Sequence, residues 1–334
     1  MREPVAYWAT MFVAMAVSAC SPIVELARIP FVSERAPLAV DATSVYVGGG
    51  GIFAVPISGG APVLVGFPTQ YSAILPHTLA VALDDQFIYA TSEYGMFRLP
   101  KTGNAPSRQL LGQADLRTIA TDGQFVYWST YDRHNGVVDL IQAIDINGTG
   151  PITTLFSVDT AVTPYPGSIA ALAVDGNYVI FLQDGVRLAR LPKQGGPVEE
   201  LISTPNQSNV LAAVIGPERV VFATSDVVDP SKTWISTVSR QPPFPLVQLI
   251  QTSFAVSSIA LSGGRAWWTG FNSAGGGPPE ENSSGAIYGC VREVDTTTGG
   301  GRTLSEDGAR FGSVVIDQRG VYWMEDNKLL TVRR

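Results

Sequence analysis

Seven copies of one short phrase, no helical period of comparable length between them, and two chain ends that complement each other together predict an all-β protein, a β-propeller of four-stranded blades. Seven blades follow if every copy forms one, and six if the degraded fifth copy is an insertion. A strand from the N-terminal side is expected to close the ring.

The phrase is an apolar triplet, an Asp or other turn residue, two or three further turn residues, and then β-branched and aromatic residues. It reads Leu38-Ala39-Val40-Asp41 with Val45-Tyr46, then Val81-Ala82-Leu83-Asp84 with Ile88-Tyr89. Ile119-Ala120-Thr121-Asp122 leads to Val126-Tyr127-Trp128, and Leu172-Ala173-Val174-Asp175 leads to Val179-Ile180-Phe181. The fifth copy has Gly216 in place of Asp, before Val220-Val221-Phe222. Ile259-Ala260-Leu261-Ser262 with Trp267-Trp268 and Val315-Ile316-Asp317 with Val321-Tyr322-Trp323 complete the set. The period is roughly 40 to 55 residues, in the range of propeller blades. Each phrase encodes two strands joined by a tight turn, where Asp and Gly supply the backbone geometry.

Third strands follow in Phe97-Arg98-Leu99-Pro100-Lys101 and its near duplicate Ala189-Arg190-Leu191-Pro192-Lys193, and in Ala54-Val55-Pro56 before Gly59-Gly60. Fourth strands are expected at Pro62–Val65, Arg108–Leu111, Pro197–Ile202 and Leu246–Ile250. Between second and third strands, residues 129–140 and 270–286 read as the longest loops. The seventh copy stops after Leu329-Leu330-Thr331-Val332 without a fourth strand. Pro22-Ile23-Val24-Glu25-Leu26-Ala27 looks like Pro197-Val198-Glu199-Glu200-Leu201 without a unit of its own. An open ring would leave unpaired edges, so residues 23–28 are expected to supply the missing outer strand.

Val126-Tyr127-Trp128-Ser129-Thr130 and Val321-Tyr322-Trp323 resemble the Tyr-Trp-Thr-Asp repeat propellers of lipoprotein-receptor type, and the Leu-Pro-Lys-x-Gly-Gly turn is similar to repeats of uncharacterised secreted bacterial propellers. The resemblance spans nearly the whole chain after its leader, though the receptor family has six blades. It implies a fold and carries no activity.

The composition suits this architecture. Of 334 residues, 45% are hydrophobic and 15% charged, enough for a core, and 34 Gly with 23 Pro allow many turns. A net charge of −7 without any basic run argues against nucleic-acid binding. Residues 5–17 form an apolar run shorter than the roughly 20 residues of a spanning helix, placed after Arg2 and before small residues, which is the layout of a signal peptide. Val17-Ser18-Ala19-Cys20 resembles the bacterial lipobox, with Val17 where Leu is commoner. The resemblance implies acylation of Cys20, a signal peptide at 1–19, a single domain at 20–334, and, with Ser21 rather than Asp next, an outer-membrane lipoprotein. Plain secretion and a retained membrane anchor are the alternatives. With Cys20 acylated, Cys290 is the remaining thiol, which leaves no intramolecular disulfide.

Groups able to do chemistry are sparse. The two histidines are His77, before the second inner strand, and His134, in the loop after Tyr131-Asp132. No Gly-x-Ser-x-Gly, His-Glu-x-x-His or ligand-spaced Cys pair occurs. An acid tends to follow the aromatic strand: Glu93, Asp132, Asp184, Asp226, Glu325 and Asp326, with Asn272 in the sixth copy. Blade symmetry puts equivalent positions on one face, where carboxylates could cap their own turns or bond the adjoining blade, or instead gather round an axial Ca2+. Asp122 and Asp175 are expected only to cap their turn or bond the adjoining blade. The candidate binding face is Glu93, Tyr94, Tyr131, Asp132, His134, Asp184, Asp226 and Asp326. The expected function is an exported, membrane-anchored scaffold that binds a protein, peptide or glycan, with no cofactor required and the membrane engaged through lipid only. A metal-assisted hydrolase or lyase using the channel is the alternative, and a purely structural envelope component a third reading.

Overall fold

The computed structural model describes residues 22–30, 32, 36–66, 78–103, 106–112, 115–132, 138–158, 169–183, 187–203, 209–226, 229, 232–273, 287–307 and 311–333. After β1 (Ile23–Arg28), blade 1 is β2 (Leu38–Val40), β3 (Ser44–Gly48), β4 (Ile52–Pro56) and β5 (Val63–Gly66). Blade 2 is β6 (Thr78–Leu83), β7 (Phe87–Ser92), β8 (Gly95–Pro100) and β9 (Arg108–Leu111), and blade 3 is β10 (Leu116–Thr121), β11 (Phe125–Asp132), β12 (Val138–Asp145) and β13 (Thr153–Ser157). Blade 4 is β14 (Ile169–Asp175), β15 (Tyr178–Gln183), β16 (Arg187–Pro192) and β17 (Glu199–Ser203). Blade 5 is β18 (Val210–Ile215), β19 (Arg219–Ser225), β20 (Thr233–Ser239) and β21 (Leu246–Thr252). Blade 6 is β22 (Ala255–Ser262), β23 (Arg265–Ser273), β24 (Ile287–Asp295) and β25 (Gly301–Asp307), and blade 7 is β26 (Phe311–Ile316), β27 (Gly320–Glu325), β28 (Lys328–Arg333) and β1.

The chain is therefore a seven-bladed β-propeller, each blade four antiparallel strands in simple order from axis to rim. The closing strand is the expected one: β1 pairs with β28 from Ile23 opposite Val332 to Arg28 opposite Lys328. The fifth copy is a regular blade. Its Gly216 stands where five other copies have Asp, and a Cβ there would lie 2.6 Å from Cδ2 of Leu261, the movable end of a side chain in the next blade. Its turn is nonetheless made, with the Gly216 N–H donating to Arg219 O (2.9 Å). The two loops expected at 129–140 and 270–286 are shorter than that, since β11 runs on to Asp132, β12 starts at Val138 and β23 runs on to Ser273.

Seven apolar clusters hold the ring, one at each boundary between neighbouring blades. Between blades 3 and 4, for example, Tyr127, Ile141, Ala143 and Leu155 meet Ile169, Val179, Phe181 and Leu191. The second strand carries the largest side chains, Trp128, Trp268 and Trp323, all fully buried. Both faces of a blade are covered by its neighbours, so a second strand reads as a continuous apolar run rather than an alternation.

Alternating strand direction gives the ring two unlike ends. Turns from first to second strand and from third to outer strand lie on one, here the turn face. Second-to-third hairpins and blade-to-blade connections lie on the other, the loop face.

On the turn face the repeated Asp is a structural device. Asp41, Asp84, Asp122 and Asp317 each accept backbone N–H bonds two and three residues on, as Asp41 Oδ1 does from Thr43 (2.8 Å) and Ser44 (3.0 Å). Each also accepts the hydroxyl of a tyrosine five residues on: Tyr46, Tyr89, Tyr127 and Tyr322. A cation from the following blade then latches on. Lys101 reaches Asp41 (2.7 Å), Lys193 reaches Asp122 (2.6 Å), and Arg240 pairs with Asp175. Where the equivalent residue is Ile57, Ile146 or Thr296, the latch runs in the opposite sense. An arginine of the preceding blade donates to a backbone carbonyl of the next: Arg319 to Ala42 (2.9 Å), Arg98 to Ile146 (2.6 Å) and Arg219 to Thr296 (3.3 Å).

Burial alone would raise the Asp41 and Asp122 carboxyls, but the lysine and the turn N–H groups outweigh it and hold both below the usual carboxylate range. Burial, and then the Asp317 charge, push the Tyr322 hydroxyl up to about 12. Because the folded carboxyl values lie below the unfolded ones, the unfolded chain binds more protons between the two. The latch stabilisation is complete above about pH 4 and is lost as pH falls through the folded values. Each partly exposed latch is expected to contribute about 1 kcal/mol. Urea melts near neutrality and near pH 3 should show Asp41→Asn and Asp122→Asn destabilised at the higher pH, with the gap to the parent narrowing, though not closing, at the lower. Parallel pH profiles for parent and variants would count against the latch.

Candidate functional site

The loop face is built on the ends of the strands. Six inner strands carry a register shift near their start, between Thr78 and Ala80, Leu116 and Ile119, Ile169 and Ala171, Val210 and Ala212, Val256 and Ser258, and Phe311 and Val314, whereas the described part of β2 pairs without one. A bulge inserts an extra residue and turns its side chain out of the alternation. Both faces of an inner strand are covered by adjacent blades, so a side chain exposed there faces the central channel. Leu79, Arg117, Leu211 and Ser257 are exposed in this way, the two leucines by 50% and 41%. The channel mouth on the loop face thus presents aliphatic, hydroxyl and guanidinium groups side by side.

Hydroxyls on the second strand brace these bulges. Ser129 Oγ lies 2.8 Å from Thr118 Oγ1, Ser257 Oγ lies 3.0 Å from Thr269 Oγ1, and Thr91 Oγ1 donates to Ala80 O (3.5 Å). Thr269 also donates to the Gly312 carbonyl of the next blade, and Thr78 Oγ1 to Gly49 O of the preceding one (3.0 Å). The polar row is buried and stiffens the rim of the mouth.

Glu93 and Tyr94 form the two-residue hairpin between β7 and β8. The Tyr94 N–H donates to Ser92 Oγ (3.2 Å), Gln109 Nε2 donates to Tyr94 O (3.1 Å), and the ring rests against the cluster of Phe97 and Leu99. Asp326 occupies the hairpin between β27 and β28 in the left-handed region, φ 52°. Asp226 caps its own loop, accepting from the Trp234 indole (2.9 Å) and the Asp229 N–H (3.1 Å). Glu325 pairs with Lys328 (3.6 Å). Tyr131 and Asp132 close β11, opposite Asp139 and Val138. Cys20, His77, His134 and Asp184 lie outside the described residues.

The second-to-third hairpins sit at middle radius, one strand spacing out from the channel wall, so their acids are distributed round a wide circle. Among the described residues no three Asp, Glu, His or Cys side chains come together as a metal site would need. The axial Ca2+ arrangement has no counterpart there. The channel-mouth residues Leu79, Arg117, Leu211 and Ser257 were not singled out from sequence. Their signal is a polar or apolar residue just before the inner-strand triplet, and only the bulge makes it face the axis.

No protein-family model and no curated protein matches this sequence. Solved structures do share the fold. A catalytically inactive virginiamycin B lyase from Staphylococcus aureus with quinupristin superposes with TM-score 0.68 at 11% identity, covering 94% of this chain and 99% of that one. Oligogalacturonate lyase from Vibrio parahaemolyticus gives 0.62 at 9% identity over 94% and 98%. The extracellular domain of a hybrid two component system from B. thetaiotaomicron gives 0.61 at 14% identity over 94% of this chain, which spans only 40% of that chain. The likeness is one of fold. At such identities neither lyase activity nor sensing transfers to this chain.

Proposed function

We propose that this protein is an exported lipoprotein, processed after residue 19 and acylated at Cys20, whose propeller is a binding scaffold for a protein, peptide or glycan. The observation that supports this most is the contrast between the two faces. The repeated acids of the turn face are engaged by their own turns, by tyrosines and by cations of the neighbouring blade. On the loop face the described hairpins and inner-strand starts surround a channel mouth braced by hydroxyl pairs. Variable segments held by a rigid frame are where recognition is usually placed. Glu93, Tyr94, Tyr131, Asp132, His134, Asp184, Asp226 and Asp326 remain the proposed contact set, with Leu79, Arg117, Leu211 and Ser257 at its centre.

The test is a glycan and peptide array probed with the propeller body. A binder of the parent should lose about 30-fold or more in affinity with Tyr94→Ala or Arg117→Ala if either is a dominant contact, the scale of about 2 kcal/mol. Gln124→Ala on the turn face should bind like the parent. Loss with Gln124→Ala and retention with both loop-face variants would place recognition on the wrong face. In parallel, calcium should leave the melting temperature of the parent unchanged. A calcium-dependent rise that Asp184→Asn/Asp226→Asn/Asp326→Asn removes would restore the ion reading. Cys20→Ser should abolish acyl labelling and signal processing.

A further inference from the structure

The strand that closes the ring enters the fold at one corner. β1 begins at Ile23, opposite Val332 and so at the turn face, and ends at Arg28 on the loop face. Pro22 lines a groove of about 1030 Å3 between blades 7 and 1, together with Val24, Leu26, Ile57, Arg319 and Arg333. Ile23 and Val24 are 43% and 44% exposed, and Val63 and Leu64 on the neighbouring outer strand are 60% and 42% exposed. All four lie at the turn-face ends of their strands, since Val63 pairs with Ala54 near the end of β4. Exposed aliphatic side chains thus stand at this end of the outer strands of blades 7 and 1, and Arg319, Arg333 and Glu25, which is paired with Arg28, line the groove between the blades.

We propose that this corner is the membrane-contact surface of the anchored protein, resting on phospholipid headgroups, so that the loop face is presented away from the bilayer. The proposal rests on the reading of Cys20 as acylated. Three residue steps separate Cys20 from Ile23, about 10 Å of chain at full extension. β1 itself extends about 20 Å from there to the loop face. A leash half the length of the strand holds the turn-face corner at the headgroups and keeps the channel mouth a strand length further out. The exposed aliphatic side chains suit the boundary between headgroup and acyl chain. Arg333, and Arg319 beyond its single bond to Ala42 O, offer forked N–H donors to phosphate oxygens. Leu246 and Val247, 40% and 39% exposed at the corresponding strand end of blade 5, lie two blades round the ring from the leash and serve as its control.

The full acylated chain, reconstituted in vesicles of phosphatidylethanolamine and phosphatidylglycerol, carries a fluorophore at Ser58→Cys beside the groove or at Asn327→Cys on the loop face of blade 7. Nitroxide lipids should quench the first label and leave the second at full emission. Val63→Glu/Leu64→Glu should relieve the quenching at position 58, whereas Leu246→Glu/Val247→Glu should not. Equal quenching at both labels, or stronger quenching at position 327, overturns the orientation. Self-association through the corner, seen as a concentration-dependent dimer that Val63→Glu/Leu64→Glu abolishes while quenching stays unchanged, overturns the lipid contact. Acyl incorporation is measured separately. If it is absent, the anchor reading fails, and coupling a maleimide lipid to Cys20 of the folded chain poses the orientation question with the same two labels.

Discussion

Deleting residues 22–30 is expected to cost several kcal/mol, comparable to the whole net stability of a typical domain, about 5 to 15 kcal/mol. The deletion strips β28 of its outer neighbour along the register from Lys328 to Val332 and leaves an open edge. It also removes Ala27 and Ile29 from the cluster in which Val45, Val47 and Leu38 of blade 1 meet Tyr322, Met324 and Leu329 of blade 7. Ile29 is completely buried, and its N–H donates to Asn327 O (2.9 Å). The ring would lose both the last strand of one blade and the apolar joint to the next. Thermal melts by circular dichroism, with size-exclusion chromatography to detect edge-to-edge association, give the result. A milder form is Ile29→Ala, expected to cost about 2 to 5 kcal/mol as a large-to-small change in a closed core. A deletion melting with the parent would mean that blade 7 is complete without β1.

Gly95→Ala is expected to be nearly as damaging although it adds one methyl group. Gly95 follows the Glu93-Tyr94 hairpin with φ 125°, a conformation that residues with a Cβ rarely adopt. A Cβ there would overlap the Leu111 carbonyl oxygen and come within 2.7 Å of the Gly112 carbonyl oxygen, both backbone atoms of the same blade. Neither neighbour is the free end of a flexible side chain, so the hairpin or the outer strand must shift. Strain and displacement together are expected to cost about 3 kcal/mol or more. Gly123→Ala makes the comparison, since its φ is 81° but no atom lies within 4 Å of a Cβ there. It should cost about 1 kcal/mol, from backbone strain alone. Equal melting temperatures for the two variants would show that the close approach at Gly95 is not rigid.

The fold was legible because each blade repeats the same local conflict and solves it with the same residues. An inner apolar triplet and a doubly covered second strand leave a trace that recurs seven times, and in five copies an Asp stands at the turn between them. Outer strands leave a weaker one. Thr153–Ser157 and Gly301–Asp307 mix Thr, Ser, Arg and Glu with few apolar residues, a pattern too weak to predict a strand. Gly216 departs from the pattern, yet its blade is regular because the turn is closed by backbone, the Gly216 N–H donating to Arg219 O. The site was less legible still. Glu93, Asp226 and Asp326 were correctly expected to share the loop-side hairpins, but radius within a blade cannot be read from a repeat, and it separates them from the axis. Leu79 and Leu211 look like ordinary core leucines until a one-residue register shift aims them at the channel.

Pairing Ile23–Arg28 with Lys328–Arg333 also fixes the order of events as the protein is made. The two partners stand about as far apart in sequence as the described chain permits, so their contact carries the greatest loop-closure entropy of any in the ring. β1 waits for β28, and the blades between them can form in turn while the circle stays open. For a polypeptide threaded across a membrane in an unfolded state, as we propose for this one, that delay is useful. The ring cannot close until Lys328–Arg333 is available to pair, so a chain exported in this way would complete its circle only after that strand has crossed.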